Sequence, residues 1–226
     1  MDFSKALAYP FDDEDWLKKL GILLLVMFVP ILNGMAVSGW TFETAQKVKA
    51  NDPRPLAGWD DFGGTIMRGL MIWLAQLIYM IPALIFVCGG YAVSAIALMG
   101  AAGSNGDSSD ALAGVATIIP LCCYCLAALL MIASLAVYAG GLLRYMERPE
   151  FSTFMQFGEN FAFVQKNIGD FLMAMLFIAG AVLLPGIVIG WTGCGLLVVA
   201  VFQAYFSAHI LGQLAAKLQG SAAPAM

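Results

Sequence analysis

Three groups of side chains in this chain have types and spacings that could do chemistry. The first is acidic. YPFDDEDWLKKL sets Asp12, Asp13, Glu14 and Asp15 between Phe11 and Trp16, and PLAGWDDFGG sets Asp60 and Asp61 between Trp59 and Phe62. Hard divalent cations favour oxygen ligands, so six carboxylates at one membrane face could hold one. The second is LCCYCL, where Cys122 and Cys125 make the C-x-x-C spacing of thiol–disulfide exchange, with Cys194 as a possible partner. The third is QAYFSAHILGQL, which places the single histidine, His209, near Gln203, Tyr205 and Gln213. Four-residue spacing puts Tyr205, His209 and Gln213 on one helix face, and polar residues inside a membrane face a bundle interior or cavity.

Each group also has a plainer reading. Carboxylates at helix starts cap free amides and complement the dipole, so Asp12, Asp13 and Asp60 read as helix starters. Trp16, Trp59 and Phe62 then read as interfacial anchors. Neither box has the glycine-centred spacing of a calcium loop. Redox thiols need a nearby cation or a helix amino terminus, whereas Cys122 and Cys125 have apolar neighbours and no basic residue close by. They read as reduced, small hydrophobes. A lone histidine forms no metal site, so His209 reads as a hydrogen-bonded packing residue ahead of a proton relay or ligand contact. No phosphate-binding loop, nucleophile–base pair or zinc spacing occurs. The expectation is no catalytic residue, no metal and no cofactor.

The elements that position these residues are membrane helices. Of 226 residues, 61% are hydrophobic and 12% charged, half the roughly 25% charged residues of soluble domains. Mean hydropathy is +0.84. Residues 20–42, 69–106, 111–143 and 171–216 carry no charge, and about 20 apolar residues suffice to cross the hydrocarbon core. The net charge of −4 comes without a basic cluster, which speaks against nucleic acid and against capture of anionic lipid by a polybasic tail. The opening MDFSKALAYPFDDEDW lacks the basic start of a cleavable signal peptide, so the first apolar run is expected to stay. Five cysteines, mostly inside apolar runs, give no secreted disulfide framework.

The predicted architecture is an all-α, polytopic membrane bundle of one domain over 1–226, with amphipathic interfacial linkers. It comprises an interfacial lead-in (1–16), a helical hairpin (17–48), a linker (49–65), long membrane helices (66–103 and 111–146), an amphipathic linker (149–167), a two-helix hairpin (168–216) and a tail (217–226). Pro30, Asn33 and Gly34 make the first run either one kinked span or a short hairpin, spanning or re-entrant. With the hairpin there are six membrane segments, and all 11 lysines and arginines fall on one side. Both termini are then cytoplasmic by the positive-inside rule. Two connecting stretches each hold a Phe-Gly pair, Phe62-Gly63 and Phe157-Gly158, the pattern of an internal repeat. Phe151, Phe154, Phe157 and Phe161 recur every three or four residues, which predicts one face of an interfacial helix.

YPFDDEDWLKKL, PILNG, PRPLAGWDDFGG, FSTFMQFGENFAFVQKN, TGCGLL and YFSAHILGQL, in that order, resemble a prokaryotic membrane family catalogued as domain-of-unknown-function family 4013. The resemblance covers almost the whole chain, although from about Pro82 to Pro120 apolar character alone matches. The family is similar in plan to YciC-like inner-membrane proteins of six segments. That implies the hairpin and a prokaryotic plasma (inner) membrane, and it implies no activity and no site residues. The expected partners are membrane lipids and other membrane-protein subunits or further copies of the chain, with no nucleic acid. The expected function is a non-enzymatic accessory or scaffold subunit of a membrane assembly. One alternative is a small-molecule or lipid transporter or binding protein with a cavity near Gln203, Tyr205 and His209. The other is a membrane thiol oxidoreductase using Cys122 and Cys125.

Overall fold

A computed structural model describes residues 3–103 and 106–220. Asp2, the tail from Ser221 and the Cys194 side chain lie outside the described residues. The elements are α1 (Phe3–Ala8), a 3-10 turn (Tyr9–Asp12), α2 (Trp16–Val26), α3 (Leu32–Lys49), α4 (Phe62–Ala102), α5 (Asp107–Glu147), α6 (Ser152–Met155), α7 (Phe157–Lys166), α8 (Ile168–Ile189) and α9 (Gly193–Gly220). No strand occurs among the described residues. The cause is the apolar composition: in hydrocarbon every backbone amide must be paired within its own segment, and a helix does this.

Four helices are long and apolar enough to cross a membrane: Phe62–Ala102, Ser108–Glu147, Ile168–Ile189 and Gly195–Gln219. The first apolar run forms a hairpin of α2 and α3, and neither arm is among those four. With 11 residues, α2 rises about 16 Å, half of a hydrocarbon core about 30 Å thick. Pro30 ends the run because it has no N–H to give. The reversal is a γ-turn: the Leu32 N–H donates to the Pro30 carbonyl at 2.7 Å around Ile31, at φ 68° and ψ −52°. A β-branched side chain seldom adopts that left-handed conformation.

The chain forms two compact units, one of residues 1–75 and 140–226 and the other of residues 76–139. In the first, α9 packs on α3 and α8, and a core gathers Tyr9, Leu23, Trp40, Leu56, Ala57 and Ala204. Two glycines let α3 and α4 meet backbone to backbone. A Cβ on Gly39 would strike the Thr65 carbonyl, and one on Gly69 would strike the Met35 carbonyl. The second unit pairs the later part of α4 with the earlier part of α5. There the Ser94 hydroxyl donates to the Ala116 carbonyl at 3.1 Å, and Tyr79 meets Tyr138 edge-on at 5.8 Å.

The stretch predicted as one interfacial helix is broken at Gln156 (φ −81°, ψ 60°) into α6 and α7. Phe154 is buried and packs on Tyr145 at 4.8 Å, whereas Phe157 and Phe161 are exposed. The four phenylalanines therefore do not share a face. Arg144 ties down the break by donating to Gln156 Oε1 (2.7 Å), Asn160 Oδ1 (2.5 Å) and the Glu159 carboxylate. Phe62-Gly63 and Phe157-Gly158 each open a helix, but α4 runs for 41 residues and α7 for 10.

Candidate functional site

In the first acidic box, Asp13 is 1% exposed. Its Oδ2 accepts from Lys19 Nζ at 2.7 Å, and its Oδ1 accepts the Asp15 N–H at 3.1 Å. The second contact is an Asx turn leading into α2. Lys19 Nζ also donates to the Leu56 carbonyl at 3.1 Å, as does Lys47 Nζ at 3.2 Å. Trp40 Nε1 donates to the Ala57 carbonyl (3.0 Å), the Ala57 N–H donates to Thr44 Oγ1 (3.1 Å), and Trp59 Nε1 donates to the Lys19 carbonyl (2.9 Å). The first box thus holds the PLAGW segment of the second through Lys19. Both tryptophans use their one polar atom to do the same.

In the second box the capping residue is Asp61, whose Oδ1 accepts the Gly64 N–H at 3.0 Å. The spacing suggested Asp60, but α4 starts at Phe62 and so leaves Asp61 in the cap position. Arg68 lies 3.3 Å from Asp61 and 2.6 Å from Glu43. Glu14 pairs with Arg54 at 3.3 Å, while Asp12, Asp15 and Asp60 are exposed. Among the described residues no three His, Cys, Asp or Glu side chains group closely enough to hold a metal ion. The box carboxylates that fold inward are already answered by lysine or arginine.

Cys122 and Cys125 are free thiols on the exposed surface of α5, and Cys123 is half-buried. They lie well inside a continuous helix, away from the helix start or cation that would make a thiolate.

His209 is buried at 3% exposure. Gln213 Nε2 lies 2.7 Å from His209 Nε2, and the Tyr9 ring stands 4.3 Å from the imidazole. The Tyr9 hydroxyl donates to the Tyr205 carbonyl at 2.6 Å. Burial, with the nearby Tyr205 second, holds the Tyr9 phenol well above its usual pKa. Gln203 is exposed and stands apart from this group. Tyr9 is the member that spacing could not supply, since 196 residues separate it from Tyr205. His209 and Gln213 also line an open cleft of about 500 Å³, together with Lys5, Val48, Lys49, Asn51, Ala216 and Lys217. His209 and Gln213 thus stand toward the lysine-bearing end of α9.

Four span-length apolar helices, and polar side chains that mostly pin loops and helix ends, define a polytopic all-α membrane protein. Within that class the chain belongs to the family described as Protein of unknown function (DUF4013), whose model matches residues 22–211. The matched region takes in Asp60, Asp61, Cys122, Cys125 and His209, while Asp12 to Asp15 and Gln213 fall outside it. No curated protein matches the chain, and no solved structure does.

Proposed function

We propose that the protein is a non-enzymatic subunit of a membrane assembly, in the plasma (inner) membrane of a prokaryote, with its lysine- and arginine-bearing ends cytoplasmic. One observation carries this: α4 exposes more apolar length than a bilayer covers. Met67, Leu74, Ile81, Ile85, Ile96 and Met99 are all exposed, and the helix rises about 48 Å from the first to the last of them. The hydrocarbon core is about 30 Å thick, and a helix at the upper limit of observed tilt, about 40°, covers roughly 39 Å. The remainder calls for cover by protein, and apolar surface of that kind marks interaction sites. The oxidoreductase reading gains no comparable support, because its thiols sit on a continuous helix without an activating charge.

Photo-crosslinkers placed at Met67 and Met99 in intact cells test this reading. At least one should capture a membrane protein that also co-isolates in mild detergent. The adduct mass distinguishes a second copy from a different subunit. Lipid adducts alone at both positions, with a monomeric mass after isolation, would refute it.

A further inference from the structure

We propose that a groove between α4 and α5 holds one phospholipid, with an acyl chain along the helix pair and its glycerol ester carbonyls on Tyr91 and Tyr124. The groove lies wholly within the second compact unit. It measures about 350 Å³ and is lined by Val87, Tyr91, Tyr124, Ala127, Ala128 and Met131. That volume falls near the lower end of small-molecule sites, roughly 300–1,000 Å³.

Depth along the two helices orients the groove. Tyr91 stands about 34 Å along α4 from Arg68, and Tyr124 about 30 Å along α5 from Arg144. At an average tilt of about 20° these depths become roughly 32 and 28 Å, on either side of a core about 30 Å thick. Each helix by itself thus sets its tyrosine at the membrane surface opposite the arginines. Val87 and Met131 lie back toward the arginines from Tyr91 and Tyr124, by about 6 and 10 Å. The groove therefore has a phenolic end at the interface and an apolar end inside the hydrocarbon.

Tyrosine at that depth is ordinary, since its ring is amphipathic. That role does not account for the geometry around this pair. The two rings stand 5.6 Å apart. A Cβ on Gly90 would come within 3.0 Å of the Tyr124 ring and 3.2 Å of Cys123 Cβ, so the missing side chain lets the Tyr124 ring rest on α4 and close one end of the groove. Among the described residues neither hydroxyl has a hydrogen-bond partner, and a phenol beside an apolar medium needs an acceptor. Ester carbonyls supply one where hydrocarbon meets headgroups. No Asp, Glu, Lys or Arg lines the groove, so it does not read headgroup charge. The proposal is independent of what covers the rest of α4.

The test titrates the full chain, stripped of lipid in an uncharged detergent, with phosphatidylcholine and counts bound molecules by native mass spectrometry. The wild type should hold one molecule that Y91F/Y124F binds at least about fivefold more weakly, since two hydrogen bonds within a membrane are lost. Ether-linked phosphatidylcholine lacks the ester carbonyls, and it should bind the wild type as weakly as the ester lipid binds that variant. Phosphatidylglycerol should match phosphatidylcholine. A128L keeps both hydroxyls but fills the groove, and it should lose the bound lipid; it serves alone if Y91F/Y124F does not fold. No lipid on the wild type, equal affinity in the variants, equal affinity for ester and ether lipids, or a preference for phosphatidylglycerol overturns the proposal. So does a wild-type dimer that A128L dissociates, which would put a second copy in the groove.

Discussion

Removing the Asp13 carboxylate leaves the Lys19 ammonium, 14% exposed, facing only the Leu56 carbonyl. Breaking a buried pair costs about 3–5 kcal/mol, and the partial exposure of Lys19 puts Asp13→Ala near the lower end, about 3 kcal/mol. Asp61→Ala loses a helix cap and should cost about 1 kcal/mol. Asp60→Ala touches an exposed side chain and should stay within about 0.5 kcal/mol. Reversible unfolding in mixed micelles ranks the three, and equal losses for Asp13 and Asp60 would reject the assigned roles. Tyr9→Phe removes one buried hydrogen bond, at a cost of about 1 kcal/mol. The Tyr9 pKa is raised in the folded state, so the wild type's advantage over Tyr9→Phe should be constant below the unfolded phenol's pKa of about 10. It should shrink as pH rises above that value, through the folded pKa. A gap that widens in alkali would contradict the burial of Tyr9. For the thiols, Cys122 and Cys125 should be reduced in protein from intact cells, and replacing both with Ala should leave folding nearly unchanged. A trapped disulfide between them would reopen the redox reading.

Between elements, the α3–α4 crossing depends on Gly39 and Gly69, where any Cβ meets a carbonyl oxygen of the facing helix. Gly69→Val should therefore cost several kcal/mol, or prevent folding, because rigid backbone cannot give way as a side-chain tip can. Gly21 offers the control: nothing lies within 4 Å of its Cβ position. Gly21→Ala should be neutral or stabilising by up to about 1 kcal/mol. Comparable destabilisation by both would show that the crossing is not as close as described. The α2–α3 hairpin makes its own prediction. Its first arm, α2, has 11 residues and reaches about half the core thickness, so a cysteine at Ile31 should resist water-soluble thiol reagents from either side. Ready labelling from outside would show that the hairpin spans.

For the whole chain, four spans are enough to place every lysine and arginine on one side. Lys5 through Arg68 precede α4 or lie in its first turns, Arg144 lies in the last turn of α5, Arg148 and Lys166 lie between α5 and α8, and Lys217 follows the apolar part of α9. The positive-inside rule then predicts both termini in the cytoplasm whether the hairpin re-enters or crosses. Cysteines at Asp2 and Ser221 should be shielded from an impermeant label in intact cells, while one at Ser108 should react. Labelling of Asp2 from outside would require an odd number of crossings and a different path for the first apolar run.

The class of this protein was legible in its sequence, because a bilayer leaves an apolar run one way to satisfy its own amides. Residue types and run lengths therefore suffice for helices and spans. The break at PILNG was legible for the same local reason, a proline without an N–H. Residue roles were another matter. Asp13, Asp60 and Asp61 are equivalent by spacing, yet one is buried, one is exposed and one caps a helix. Tyr9 meets Tyr205 and His209, and Lys5, Lys49 and Lys217 share a cleft although no basic cluster exists along the chain. Each of these facts depends on which helix lies opposite which. Spacing within one helix fixes only the face a residue occupies, and tertiary packing decides what that face meets.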